Sequence, residues 1–279
     1  TVECIGDVPA MTDLGWTDNC DGAGVVTGTD GALVGGNCGG TITRTWTYTD
    51  ACGNVSVAAT QTITVDDNTP PTASAPAAVN VECIGDVPAA NITDITDEAD
   101  NCTVAPVVAF VGDVSDGASC PETITRTYSI TDDCGNQITV DQIITVHDVT
   151  APVIAGLPAD IAVECIGDVP AMVDLNYTDN CDPAGTVTGV DVSDGASCPE
   201  TITRTWTYTD ACGNNATVSQ TITVHDITPP VIAGLPADVT VECAGDLPAM
   251  VDLTWTDNCD GTGTVTGVDV SDGLSCPET

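Results

Sequence analysis

TITRTWTYTDACGN occupies residues 41–54 and returns letter for letter at 201–214, with a looser copy, TITRTYSITDDCGN, at 123–136. Its first nine residues alternate. Ile42, Arg44, Trp46 and Tyr48 fall on one side and threonines on the other, as a strand with one buried face requires. The last five residues are turn formers around a cysteine.

Working outward, each copy sits in the same order of motifs. A VEC is followed by GD(V/L)PA, then DNC, a Gly- and Asp-rich stretch with a third cysteine, TITRTW or TITRTY, D(A/D)CGN, and ITV. The VEC cysteines Cys4, Cys83, Cys165 and Cys243 lie roughly 80 residues apart, the size of a small domain rather than a solenoid turn. Proline-bearing junctions follow: DDNTPP at 66–71, HDVTAP at 147–152 and HDITPP at 225–230. Four domains are expected, at 1–67, 68–148, 149–226 and 227–279. The first lacks the lead-in PVIAGLPAD and the last stops at CPET, so the polypeptide is expected to continue beyond both ends.

Thr, Val and Ile dominate, Gly, Asp, Asn and Pro punctuate at short intervals, and no helical periodicity lasts three turns. The fold class is all-β: tandem immunoglobulin-like sandwiches of about seven strands, stapled by disulfides and arranged as a rod. PADIAVEC, TDNCD, TWTYTDACGN and HDITPPVI resemble the hyalin-repeat (HYR) family and related bacterial Ig-like repeats. The resemblance covers the whole chain. It implies tandem Ig-like domains in secreted surface proteins and adhesins of the kind abundant in Bacteroidota.

The 279 residues hold 42 Asp and Glu against three Arg and no Lys, a formal charge of −39. Nucleic acid is excluded as a partner, and divalent cations or high salt are the natural counter-charge. Fifteen cysteines without a CxxC pair point to structural disulfides in an extracellular or cell-surface setting. No apolar run reaches membrane-span length.

Four cysteines per repeat allow three connectivities. If strands run alternately down and up, the VEC and third cysteines share the bottom of a repeat, while the DNC and ACGN cysteines share the top. Pairing within an end then gives Cys4 with Cys38, Cys20 with Cys52, Cys83 with Cys120, Cys102 with Cys134, Cys165 with Cys198, Cys181 with Cys212, and Cys243 with Cys276. Cys259 is left over.

The same layout gathers carboxylates at the tops: Asp148, Asp179 and Asp210; Asp226 and Asp257; Asp67, Asp100 and Asp132; and, without an upstream junction, Asp18 and Asp50. Three carboxylates with carbonyls and water suit Ca²⁺, which related bacterial Ig-like repeats place at such junctions. The bland alternative is solvated turn chemistry. A bottom set of Asp168, Asp191 and Asp194 is a weaker candidate. Arg44, Arg126 and Arg204 are expected to pair with Glu3, Glu82 and Glu164, and Trp46, Trp206 and Trp255 to fill cores.

Catalysis is not expected. His147 and His225 sit in junctions, and no nucleophile has a base beside it. The sequence thus reads as a structural segment of an extracellular stalk, filament or adhesin, partnered by neighbouring repeats and by other copies in a fibre. The alternative is an adhesive module binding a glycan or protein through the loops at 21–37, 103–119 and 182–197. Near-identity of those loops in the third and fourth repeats favours repetition for length; the insertion DITDEAD at 94–100 marks the second repeat as the different one.

Overall fold

A computed structural model describes residues 1–271 and divides the chain into two compact units, Thr1–Val149 and Thr150–Thr279. Unit 1 holds the first two repeats. In the first, β1 (Leu14–Asp18) and β2 (Gly22–Val26) form a hairpin, and β3 (Thr29–Asp30), β4 (Cys38–Trp46) and β5 (Ala59–Asp66) form a second sheet in the order β3-β4-β5. Val2 bridges Val65 in parallel at its edge. The second repeat carries β6 (Val79–Val81), β7 (Val107–Ser115), β8 (Glu122–Thr131) and β9 (Gln137–Val146) in the order β6-β9-β8-β7.

Unit 2 shows the fullest version. Its first repeat has seven strands: β10 (Val153–Ala155), β11 (Ile161–Val163), β12 (Leu175–Thr178), β13 (Gly185–Val187), β14 (Val190–Ser193), β15 (Glu200–Thr209) and β16 (Asn215–Val224). One sheet runs β10-β12-β13, and the other β11-β16-β15-β14 with β11 parallel to β16. This is the expected immunoglobulin-like sandwich, three strands on four. The last repeat contributes β17 (Val231–Ala233), β18 (Leu253–Asp257) and β19 (Gly261–Val265), ordered like the smaller sheet.

The strand read first behaves as its alternation requires. Ile42, Arg44 and Trp46 are buried, as are Ile202, Arg204 and Trp206 and, in the second repeat, Ile124, Arg126 and Tyr128. Trp206 is fully buried, and its indole N–H donates to the Val173 carbonyl at 2.9 Å; Trp46 does the same to Thr12. A β-carbon on Gly189 would lie 2.9 Å from the Trp206 ring, which explains the glycine under the indole. Ile95 packs against Tyr128, so the second repeat fills its core with an Ile–Tyr pair. Trp255 is half-buried.

Each core is small, built on clusters such as Ile42, Ile63 and Val65 or Ile202, Ile222 and Val224. A layer of guanidinium lies beside them. The expected Arg–Glu pairs do not form. Arg44 instead binds Asp30, Arg126 binds Asp113 and Arg204 binds Asp191, each on the neighbouring strand and each with two nitrogens. Cross-strand register decides this, since Asp30 faces Arg44, Asp113 faces Arg126 and Asp191 faces Arg204 directly. Domains of this size bury too little surface to be robust unaided.

Candidate functional site: the junction between repeats

Two short turns present the cysteines at the top of a repeat. In Asp-Ala-Cys-Gly-Asn, Asp50 Oδ1 accepts from the Cys52 and Asn54 amides at 2.9 and 2.8 Å, and Oδ2 from the Asn54 side chain at 2.8 Å. Gly53 takes φ 85°, a value that favours glycine. Asp132 and Asp210 hold the same turn. In Asp-Asn-Cys, one oxygen of Asp18, Asp100, Asp179 or Asp257 accepts the next two available amides, as Asp100 Oδ2 does from Cys102 and Thr103 at 2.8 and 2.7 Å.

At the bottom, each VEC cysteine caps a single 3-10 turn, Ile5–Asp7, Ile84–Asp86, Ile166–Asp168 or Ala244–Asp246. Cys38 begins β4 opposite Asp66, next to the Val2–Val65 bridge. The ends of the repeat therefore hold the cysteines that strand direction assigns to them.

The bonds, however, cross from one repeat to the next. Cys4 is joined to Cys102 and Cys38 to Cys134 in unit 1, and Cys165 to Cys259 in unit 2. This corrects the expected pairs Cys4 with Cys38, Cys102 with Cys134, and Cys165 with Cys198. Cys259, expected to be left over, is bonded. Cys20, Cys52, Cys198 and Cys243 are free and exposed, against the expected bonds Cys20 with Cys52 and Cys243 with Cys276. Cys83, Cys120, Cys181 and Cys212 are disulfide-bonded, and Cys276 lies outside the described residues. The physical reason is that within each unit the bottom of the first repeat abuts the top of the second, so the facing thiols belong to different repeats.

Neighbouring groups reinforce these bonds. The Asn101 amide nitrogen donates to Cys102 Sγ at 3.2 Å and lies 3.6 Å from Cys4 Sγ. Asn258 repeats this on Cys259 and Cys165, and donates at 2.8 Å to Glu164. Asn136 reaches from the second repeat to the Asp67 carbonyl at 3.0 Å. Sequence reasoning assigned no role to these asparagines, although the Asn before every DNC cysteine was the available signal.

Carboxylates gather at the same junctions. Asp67 and Asp100 in unit 1 offer oxygens within 4.8 Å of each other, as do Asp226 and Asp257, and Asp179 and Asp210, in unit 2. Cys102 and Cys259 lie among them, but their sulfurs are already bonded and offer no thiolate. Asp132 adds its charge to the Asp67 environment, and Asp148 is buried at the end of unit 1. The bottom set does not gather: Asp191 is held by Arg204, and Asp194 accepts from the Ala196 amide.

Local turns leave specific oxygens unused. Asp67 Oδ1 accepts from the Thr69 amide at 3.2 Å, but Asp67 Oδ2, Asp100 Oδ1 and Asp179 Oδ1 are buried without a hydrogen-bond partner. Burial pushes the Asp67 carboxyl up, and Asp100, Asp132 and Glu3 push it further, outweighing the Thr69 amide. For Asp132 burial also acts upward, but the Asn136 side chain and the turn amides prevail and hold it below the usual carboxylate range. A buried, unpaired carboxylate oxygen costs free energy unless something positive meets it.

A family model for HYR-like domains with four cysteines matches residues 1–65, 71–146 and 153–224. The chain belongs to that family. No curated protein matches it. In this HYR-like chain, Cys4 and Cys38 of the first repeat bond cysteines of the second, and Cys165 of the third bonds a cysteine of the fourth. Its disulfide-rich tandem repeats fit an extracellular structural or adhesive module, and among the described residues no helix is long and apolar enough to cross a membrane.

Proposed function

We propose that this chain is a structural segment of an extracellular stalk, filament or surface adhesin in which the two repeats of each unit are covalently fastened to one another. The reading is non-enzymatic. The observation that carries it is the crossing of the disulfides: a repeat meant to act alone closes its cysteines on itself, whereas Cys4–Cys102 and Cys38–Cys134 use them to couple neighbours. Two such bonds at one junction remove its freedom to hinge.

The donor set fits a hard divalent cation such as Ca²⁺. Asp67 and Asp100, with Asp132 beside them, would hold it in unit 1, and Asp226 with Asp257, or Asp179 with Asp210, in unit 2. The fit rests on the unpartnered oxygens of Asp67, Asp100 and Asp179 and on oxygen-only chemistry. Bound there, the ion supplies counter-charge. The residues themselves fix the carboxylates through turn amides, so that little ordering remains to be done on binding.

The test is calorimetric titration of the oxidised chain with Ca²⁺, with scattering in Ca²⁺ and in chelator. Binding at the junction acids with stiffer dimensions in Ca²⁺ is the expected result. No heat and unchanged dimensions would leave the disulfides as the stiffening element and reduce the aspartates to turn chemistry.

A further inference from the structure

The staples and the junction acids share their turns. Asp100 Oδ2 accepts from the Cys102 amide at 2.8 Å, and Cys102 is bonded to Cys4 in the neighbouring repeat. Asp132 Oδ1 accepts from the Cys134 amide at 2.8 Å, and Cys134 is bonded to Cys38. Asp67 enters from the other side. Its amide donates to the carbonyl of Asn37, which precedes Cys38, and its carbonyl accepts from the Asn136 side chain, which also donates to Asp132 Oδ2. Each acid of the unit 1 cluster is thus held by the backbone at or next to a stapled cysteine.

Distance agrees with this connectivity. Cys102 Sγ and one oxygen each of Asp67 and Asp100 lie within 4.8 Å of one another, and in unit 2 the same holds for Cys259 Sγ, bonded to Cys165, with Asp226 and Asp257. Asp67 is only 3% exposed, and its Oδ2, like Asp100 Oδ1, is buried without a partner. Without a cation, these like charges push apart the two ends that the staples pull together. A divalent cation between them reverses the sign of that force.

We infer that cation and staple are thermodynamically linked: closing Cys4–Cys102 and Cys38–Cys134 tightens Ca²⁺ at Asp67, Asp100 and Asp132, and Ca²⁺ in turn holds those two bonds against reduction. The inference rests on the cation reading above and adds its regulation. Reciprocity makes it quantitative, because the factor by which closing a bond tightens Ca²⁺ equals the factor by which saturating Ca²⁺ favours that bond. Couplings between sites are typically about 5–150-fold. Reduction follows ordinary exchange with a dithiol. The dithiol supplies two electrons and two protons, the protein disulfide becomes two thiols, and the dithiol closes into a cyclic disulfide. Calcium therefore sets how reducing the surroundings must be before the two repeats can part.

The test uses the 279-residue chain in buffers of reduced and oxidised dithiothreitol, with Ca²⁺ or with EDTA. Differential alkylation and mass spectrometry of the peptides carrying Cys4, Cys102, Cys38 and Cys134 read each bond separately. Ca²⁺ should move both bonds toward the disulfide by about 5–150-fold in the equilibrium ratio, and Asp67→Asn should cancel that shift. Calorimetry should find Ca²⁺ bound more weakly, by the matching factor, to a Cys4→Ser, Cys102→Ser chain, whose intact Cys38–Cys134 peptide verifies that the repeats still meet. An oxidised chain that takes up no Ca²⁺ would overturn the cation reading and this inference with it. Uptake by the oxidised chain with an unmoved thiol–disulfide equilibrium, or with a shift that survives Asp67→Asn, would overturn the linkage alone. So would equal Ca²⁺ affinity in the double serine variant.

Discussion

Pulled between a handle at its N-terminus and another at Val149, unit 1 should withhold most of its length until it is reduced. Any taut path must cross from Cys4 to Cys102 and follow the backbone to Cys134, or follow the backbone to Cys38 and cross there. Either way close to 98 residues, the separation of the first bond, stay slack behind sulfur. At about 3.3–3.6 Å per residue this locks roughly 32–35 nm of contour. Single-molecule force spectroscopy in oxidising buffer, then in dithiothreitol, reads the difference directly. Pairing within repeats would lock only about 70 residues, roughly 24 nm, split between two separate domains. A gain on reduction near that smaller value, or none, would refute the cross-repeat staple. Closing a loop of this size is also worth about 5 kcal/mol in the chain-entropy model, though two interlocked loops do not add.

Asp67→Asn should raise the melting temperature in chelator, because it removes a buried charge facing Asp100 and Asp132, and should erase the Ca²⁺-dependent increment; scanning calorimetry with and without EDTA checks both. Asp191→Ala strands the buried Arg204 on the Pro170 and Ala171 carbonyls and should cost about 2–3 kcal/mol in urea unfolding, followed by the fluorescence of buried Trp206. For pH the signs oppose. Asp50, held low by the Asn54 side chain and turn amides, and Asp113, held low by Arg126, contribute stability above about pH 4 and lose it as pH falls through their depressed folded values. Asp67, raised by burial, holds its proton more tightly folded than unfolded, so its penalty is relieved as pH falls through its raised folded value. Chelated protein should therefore hold its stability down to about pH 5 and lose it steeply below about pH 4, and a steady decline from pH 7 would contradict this assignment.

The fold was legible because period-2 alternation is local. Ile42, Arg44 and Trp46 had to share a face, and the structure buries all three. Trp206 as core filling followed from the same strand. The ends of each repeat were legible too, since alternating strand direction puts Cys38 beside Asp66 and the Asp50 turn at the opposite pole. What one repeat cannot reveal is what faces its pole. Pairing within an end overlooks that the same layout sets junction aspartates such as Asp67 against the top of the following repeat. Carried through consistently, that placement would have set Cys4 against Cys102. The arginine partners were missed for a different reason: Asp30, Asp113 and Asp191 lie in loop-rich stretches whose register only the sheet fixes.

Staple and carboxylates occupy the same junction because that is where an acidic repeat protein is weakest. The bottom of the first repeat brings Glu3, Asp66 and Asp67, the top of the second Asp100, Asp132 and Asp133, and the chain sets 42 acids against three arginines. A purely apolar contact small enough to fit between such ends would have to outweigh that repulsion at every junction and would loosen whenever salt fell. A disulfide is indifferent to ionic strength. A cation among the carboxylates, by contrast, acts in proportion to its concentration, so it can adjust stiffness but cannot guarantee connection. The two devices should therefore fail in a fixed order: chelator softens the junction while Cys4–Cys102 and Cys38–Cys134 still hold it, and only reduction lets the repeats part.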